Sequence, residues 1–178
     1  HNCFWCRDNF KEYGLYVLKF YKDCKIFFVI IDDFVPVTKK GVPIFGHNRN
    51  PNELWVPLIE KAYAKLHGCY KNIIGGYTHY GLADLTGYSP RLLVLKEGYR
   101  GFSEAYNEEE IWDLLLRYRE LKCLMGCSIQ TKPNASKAIE HEAGEGLLYG
   151  HAYSVLKLGA ITVDKKEIRL IQLRNPHG

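Results

Sequence analysis

Between Leu15 and Ile31 apolar and polar positions alternate, break, and alternate again. Leu15-Tyr16-Val17-Leu18-Lys19-Phe20-Tyr21 and Lys25-Ile26-Phe27-Phe28-Val29-Ile30-Ile31 are rich in aromatic and β-branched residues. The polar stop Lys22-Asp23 separates them, which predicts a β-hairpin. Asp32-Asp33 closes the second strand, and Pro36 keeps the next residues extended or turning. The rhythm then changes to 3.6 residues: Leu54, Trp55, Leu58, Ile59, Ala62, Tyr63 and Leu66 fall on one side of a helix predicted over 52–66. Asn52 is placed to cap it, Glu53 to sit in its first turn and Gly68 to end it. A second helix is predicted over 107–121. Glu108, Glu109 and Glu110 suit its first turn, and Ile111, Trp112, Leu114, Leu115, Tyr118 and Leu121 form its apolar side.

Past Lys122 the pattern predicts strands over 124–131, 151–158 and 166–173. A loop is expected over 132–146, which holds Pro133, Gly144 and Gly146, and a turn at Val163-Asp164-Lys165. The chain is helix-centred before Gly87-Tyr88-Ser89-Pro90 and sheet-centred after it. This predicts an α+β protein with two lobes, residues 1–87 and 88–178.

The 178 residues suffice for one domain or two small lobes with a sizeable core. Apolar residues are 47% and charged residues 25%, the balance of a globular protein rather than a disordered or fibrous one. The net charge of +4 is mild and its lysines and arginines are scattered, so nucleic acid is not an expected partner. No apolar stretch approaches the roughly 18 residues that cross a bilayer. The first residues do not resemble a signal peptide. The abrupt ends suggest a piece of a longer chain. Six cysteines in such a composition read as reduced thiols of an intracellular, cytoplasmic protein.

His151 follows Gly150 at the start of an apolar strand, where an imidazole is held on one side and open on the other. That placement suits a general base, although a half-buried structural histidine is the commoner outcome. Asn175 comes 24 positions later, just past the end of the next strand. Adjacent antiparallel strands would bring the two side by side. An Asn amide beside an imidazole fixes its tautomer, as in a Cys-His-Asn triad; Asn-Pro is also ordinary turn chemistry.

Around these residues the chain resembles the calpain family of calcium-dependent cysteine proteases. The resemblance rests on Asp32-Asp33-Phe34-Val35-Pro36, Glu53-Leu54-Trp55, and Leu58-Ile59-Glu60-Lys61-Ala62-Tyr63-Ala64-Lys65. Gly68-Cys69-Tyr70, Gly75-Gly76, Asp84-Leu85-Thr86-Gly87, Gly126-Cys127-Ser128-Ile129, the run from Gly150 to Val155 and Arg174-Asn175-Pro176 follow in family order. The resemblance implies a papain-like protease core. Its first lobe carries a nucleophilic Cys on a helix, and its β-rich second lobe carries His151 and Asn175. It further implies that Gly76 and Gly150 hold the backbone of a protein or peptide substrate. It makes Glu53 a ligand of a calcium ion whose other ligands lie upstream.

Two departures stand out. The family's Gly-Asp-Cys-Trp nucleophile and its preceding Gln are absent, and family spacing puts them ahead of His1. Cys3, followed by Phe4-Trp5, precedes Asp32 by only 29 positions. On this basis the chain needs an upstream part of the same protein to supply the Cys and is inactive alone. His177 also stands where the family usually has a Trp that shields the His-Asn bond. The alternative is a catalytically inactive, calpain-like binding or scaffolding module. Cys3-Cys6 and Cys123-Cys127 have zinc-like spacing, but core thiols explain them more simply.

Overall fold

The computed structural model describes residues 5–7, 10–95, 106–129 and 141–176. Antiparallel strands come first, then the helices, then further antiparallel strands, an α+β arrangement with two compact units, His1–Pro90 and Arg91–Gly178.

The first unit is built on a three-stranded antiparallel sheet in the order β1 (Trp5–Arg7), β2 (Leu15–Lys22), β3 (Lys25–Asp32). β2 and β3 form the expected hairpin, in register from Leu15↔Asp32 to Lys22↔Lys25. Its two central turn residues, Asp23 and Cys24, have φ of 49° and 60°. Positive φ at both positions is the pattern of a type I′ turn, whose twist matches that of the strands. Period two sends Leu18, Phe20, Val29 and Ile31 to one face, where they are buried against Leu58 and Ala62 of α1 (Trp55–Leu66). The same helix reaches the free edge of β3: Lys65 Nζ donates to Ile30 O at 2.7 Å, and Lys61 Nζ to Asp32 O at 3.1 Å.

Helix α1 begins three residues later than the apolar rhythm predicts, and Asn52 does not cap it. Asn50 Oδ1 takes the Asn52 N–H at 3.1 Å, which holds 50–53 in a turn. The first turn is capped from outside instead, by Asn48 Oδ1 accepting from Val56 N at 3.2 Å. Pro57 has no N–H to satisfy there. Glu53 thus precedes the helix rather than occupying its first turn. Gly68, with φ of 100°, turns the chain away as expected. A 3₁₀ turn over Tyr70–Ile73 and helix α2 (Thr78–Thr86) follow. The short α2 was not legible because Gly81 and threonines at both ends blur its periodicity.

The second unit opens with α3 (Glu108–Glu120), whose N-cap Asn107 and Glu110 form a reciprocal capping box. A sheet in the order β4 (Gly126–Ser128), β7 (Ala152–Val163), β8 (Lys166–Arg174) follows, with a separate hairpin of β5 (His141–Gly144) and β6 (Leu147–Tyr149). β4 is shorter than predicted, and Ile129 leaves its ladder to bridge Tyr149 in parallel. The end of the expected loop is in fact the β5–β6 hairpin. Gly144, Glu145 and Gly146 all adopt positive φ, so the glycines read as loop also make a tight reversal. The β7–β8 turn is at Asp164-Lys165, again with both φ positive.

Candidate active site

Register places the candidate pair. Ser154 is the Cα partner of both Gly126 on β4 and Arg174 on β8. His151, just before β7, and Asn175, just after β8, therefore lie at the same end of the sheet. His151 Nε2 and Asn175 Oδ1 are 2.9 Å apart. The amide oxygen can only accept, so Nε2 carries the hydrogen and the neutral ring's lone pair is on Nδ1. His151 is 5% exposed, a burial that restricts the ring to few orientations. Tyr153, two residues along the same strand face, meets that ring edge-on at 4.9 Å and 86°. Its hydroxyl accepts from Leu148 N at 2.9 Å, so Tyr153 is itself fixed by β6. Tyr153 was missed as a supporting residue. The signal for it was the strand alternation that puts residues 151 and 153 on one face.

Gly150 precedes the histidine with φ of 70°, a conformation that favours glycine, and donates its N–H to Ile129 O at 2.8 Å. In the other unit, Gly76 lies between the 3₁₀ turn and α2. A Cβ added there would meet nothing within 4 Å, so one side of its backbone is open. Glu53 is also in that unit. Its carboxylate accepts from Asn48 Nδ2 at 3.2 Å, Asn50 Nδ2 at 3.3 Å and Trp55 Nε1 at 3.3 Å. Calcium takes six to eight oxygen ligands. Here the neighbours turn N–H groups, not oxygens, to the carboxylate, and the described residues hold no cluster of three metal-ligating side chains. These residues do not by themselves form a calcium site.

Four described cysteines, Cys24, Cys69, Cys123 and Cys127, are free thiols. Desolvation pushes the Cys127 thiol above its ordinary pKa, the opposite of what a thiolate nucleophile needs. Cys3, the side chain of Cys6, and His177 lie outside the described residues. No described helix is long and apolar enough to cross a membrane.

Residues 4–178 match the calpain family cysteine protease domain. The chain is 36% identical over 168 residues to the calpain-type cysteine protease DEK1 of Arabidopsis thaliana, covering 94% of this chain and 7% of the relative. It is 36% identical over 173 residues to Calpain-A of Drosophila melanogaster, covering 93% of this chain and 19% of that protein. With Calpain-8 of Rattus norvegicus it shares 36% over 175 residues, 94% of this chain and 22% of the relative. The chain thus spans well under a third of the curated relatives it matches.

Proposed function

The chain belongs to the calpain family of cysteine proteases, and from that membership we propose that it supplies the His-Asn part of an intracellular cysteine endopeptidase. The observation that carries this reading is the 2.9 Å bond from His151 Nε2 to Asn175 Oδ1.

In the proposed cycle Nδ1 of His151 takes the proton of a cysteine thiol contributed by the longer protein. The thiolate attacks a peptide carbonyl carbon, and its π electrons move to the oxygen. When the tetrahedral intermediate collapses, the imidazolium gives its proton to the departing amine and a thioester remains. Water then loses a proton to Nδ1, attacks the thioester and releases the acid, and the thiol regains its proton. Asn175 holds the ring so that the same nitrogen faces the reaction at each step. Gly76 and Gly150 would line the extended substrate. Because the Gly150 N–H is engaged by Ile129, its carbonyl is the group that would accept from the peptide. Calcium dependence, with Glu53 as one ligand, is proposed for the longer protein only, and no step here passes through the ion.

Thiol-dependent cleavage of a fluorogenic peptide by the full-length parent protein tests the reading. His151→Ala should lower kcat/KM by at least ~10²-fold, the usual worth of a positioned acid-base group. An unchanged rate would overturn the role of His151. No activity in the wild-type parent would favour the inactive binding module instead.

A further inference from the structure

The glycine pair Gly75-Gly76 is a short bridge between two elements, and both are fastened to one residue. On its N-terminal side, the 3₁₀ turn over Tyr70–Ile73 is tied down by Asn72 Nδ2 donating to the His67 carbonyl at 2.7 Å. On its C-terminal side, α2 is tied down by Asp84, the one buried side chain of that helix. Asp84 is 7% exposed. Its Oδ2 accepts from Tyr63 OH at 2.9 Å, from Lys22 Nζ at 3.2 Å and from His67 Nε2 at 3.3 Å. His67 caps the end of α1, its ring 4.4 Å from that of Tyr63. The backbone of His67 thus holds one flank of the glycines and its ring holds the other.

A carboxylate is an unusual anchor for a helix. Burying it is unfavourable unless donors compensate it, and here β2 supplies one donor, α1 a second and the α1 cap His67 a third. The contact is directional, so it fixes α2 along its axis as an apolar contact would not. Next to it, Gly87 closes α2 with φ of 75°, and a Cβ there would lie 2.7 Å from the Tyr21 ring. The C-terminal end of α2 is therefore packed tightly on β2, while the segment before its first turn borders open space at Gly75 and Gly76. Two glycines have little conformational preference of their own. Their path must be set by what holds their ends.

We propose that His67 and Asp84 form a clamp that sets the path of Gly75-Gly76, making both of them positioning residues for the substrate backbone. The proposal rests on the protease reading for its consequence in catalysis, but not for the clamp itself. Two variants separate the parts. His67→Phe keeps the ring packing and the backbone carbonyl while removing the bond to Asp84. Asp84→Asn keeps the shape and removes the charge.

Both should be made in the full-length parent protein and measured by hydrogen exchange and by peptide-cleavage kinetics. Exchange of the amides over 74–86 should speed up about tenfold, with those of β2, β3 and the middle of α1 unchanged. KM for the fluorogenic peptide should rise about fivefold, with kcat changing less than about twofold. Exchange that rises throughout the first unit, or nowhere, would overturn the clamp. Local exchange with an unchanged KM, or a fall in kcat alone, would overturn its link to substrate. A wild-type parent with no peptidase activity would sink the protease reading, and the exchange measurement would still decide the clamp.

Discussion

At His151 the two ring nitrogens have different surroundings, and one amide oxygen tells them apart. Because Asn175 Oδ1 can only accept, Nε2 holds its hydrogen and Nδ1 is left as the basic atom. The pairing of His151 with Asn175 followed from residue types and strand order, but which ring nitrogen meets the amide came only from the structure. The edge-on support of Tyr153 did not follow from them, since it depends on which face of β7 is buried. Nor did the donors on Glu53, because Asn48 and Asn50 come from a loop whose path has no periodicity and Trp55 opens α1 later than the apolar rhythm predicts. Asp32 gives a separate test at this scale. The hydrogen bond from Lys61 Nζ, and then the Phe34 N–H, hold its carboxyl below the usual range. A depressed folded-state pKa stabilises the fold above the unfolded value near ~4 and stops doing so as pH falls through the folded value. Lys61→Met should therefore lower the midpoint of urea unfolding at pH 7, with the gap to the wild type narrowing below about pH 4. An equal gap at pH 7 and pH 3 would show that Lys61 acts through packing and its backbone hydrogen bonds rather than through the Asp32 carboxylate.

At the scale of elements, strong periodicity was legible and short, turn-governed pieces were not. The β2–β3 hairpin and α3 follow the hydrophobic pattern closely. Helix α2 and the β5–β6 hairpin were hidden, the first by weak periodicity and the second by glycines that read equally well as loop. The β7–β8 turn shows what such positions cost. Lys165 has φ of 65°, in the region where a side chain crowds its own backbone. Lys165→Gly should raise stability by about 0.5–1 kcal/mol, the strain relieved less the added freedom of the unfolded chain. The check is the thermal midpoint of the protein. A fall in Tm would mean that the Lys165 side chain makes a contact worth more than the strain.

At the scale of the whole molecule, family membership is clear from end to end, since residues 4–178 match the calpain domain. The chain nevertheless spans only 7% to 22% of the three relatives described above. On the proposed protease reading, a longer parent protein would supply a thiol for His151 Nδ1 to deprotonate. An imidazolium beside it would hold that thiol ionised well below its ordinary pKa of about 8.5. Alkylation by iodoacetamide reads this directly, since the thiolate reacts and the thiol does not. The full-length parent should be treated briefly at pH 6, digested and mapped by mass spectrometry, alongside its His151→Ala variant. One cysteine outside residues 1–178 should alkylate far faster than the rest in the wild type, and lose that advantage in the variant. A parent with no such cysteine, or one whose reactivity is indifferent to His151, would contradict a Cys-His-Asn site.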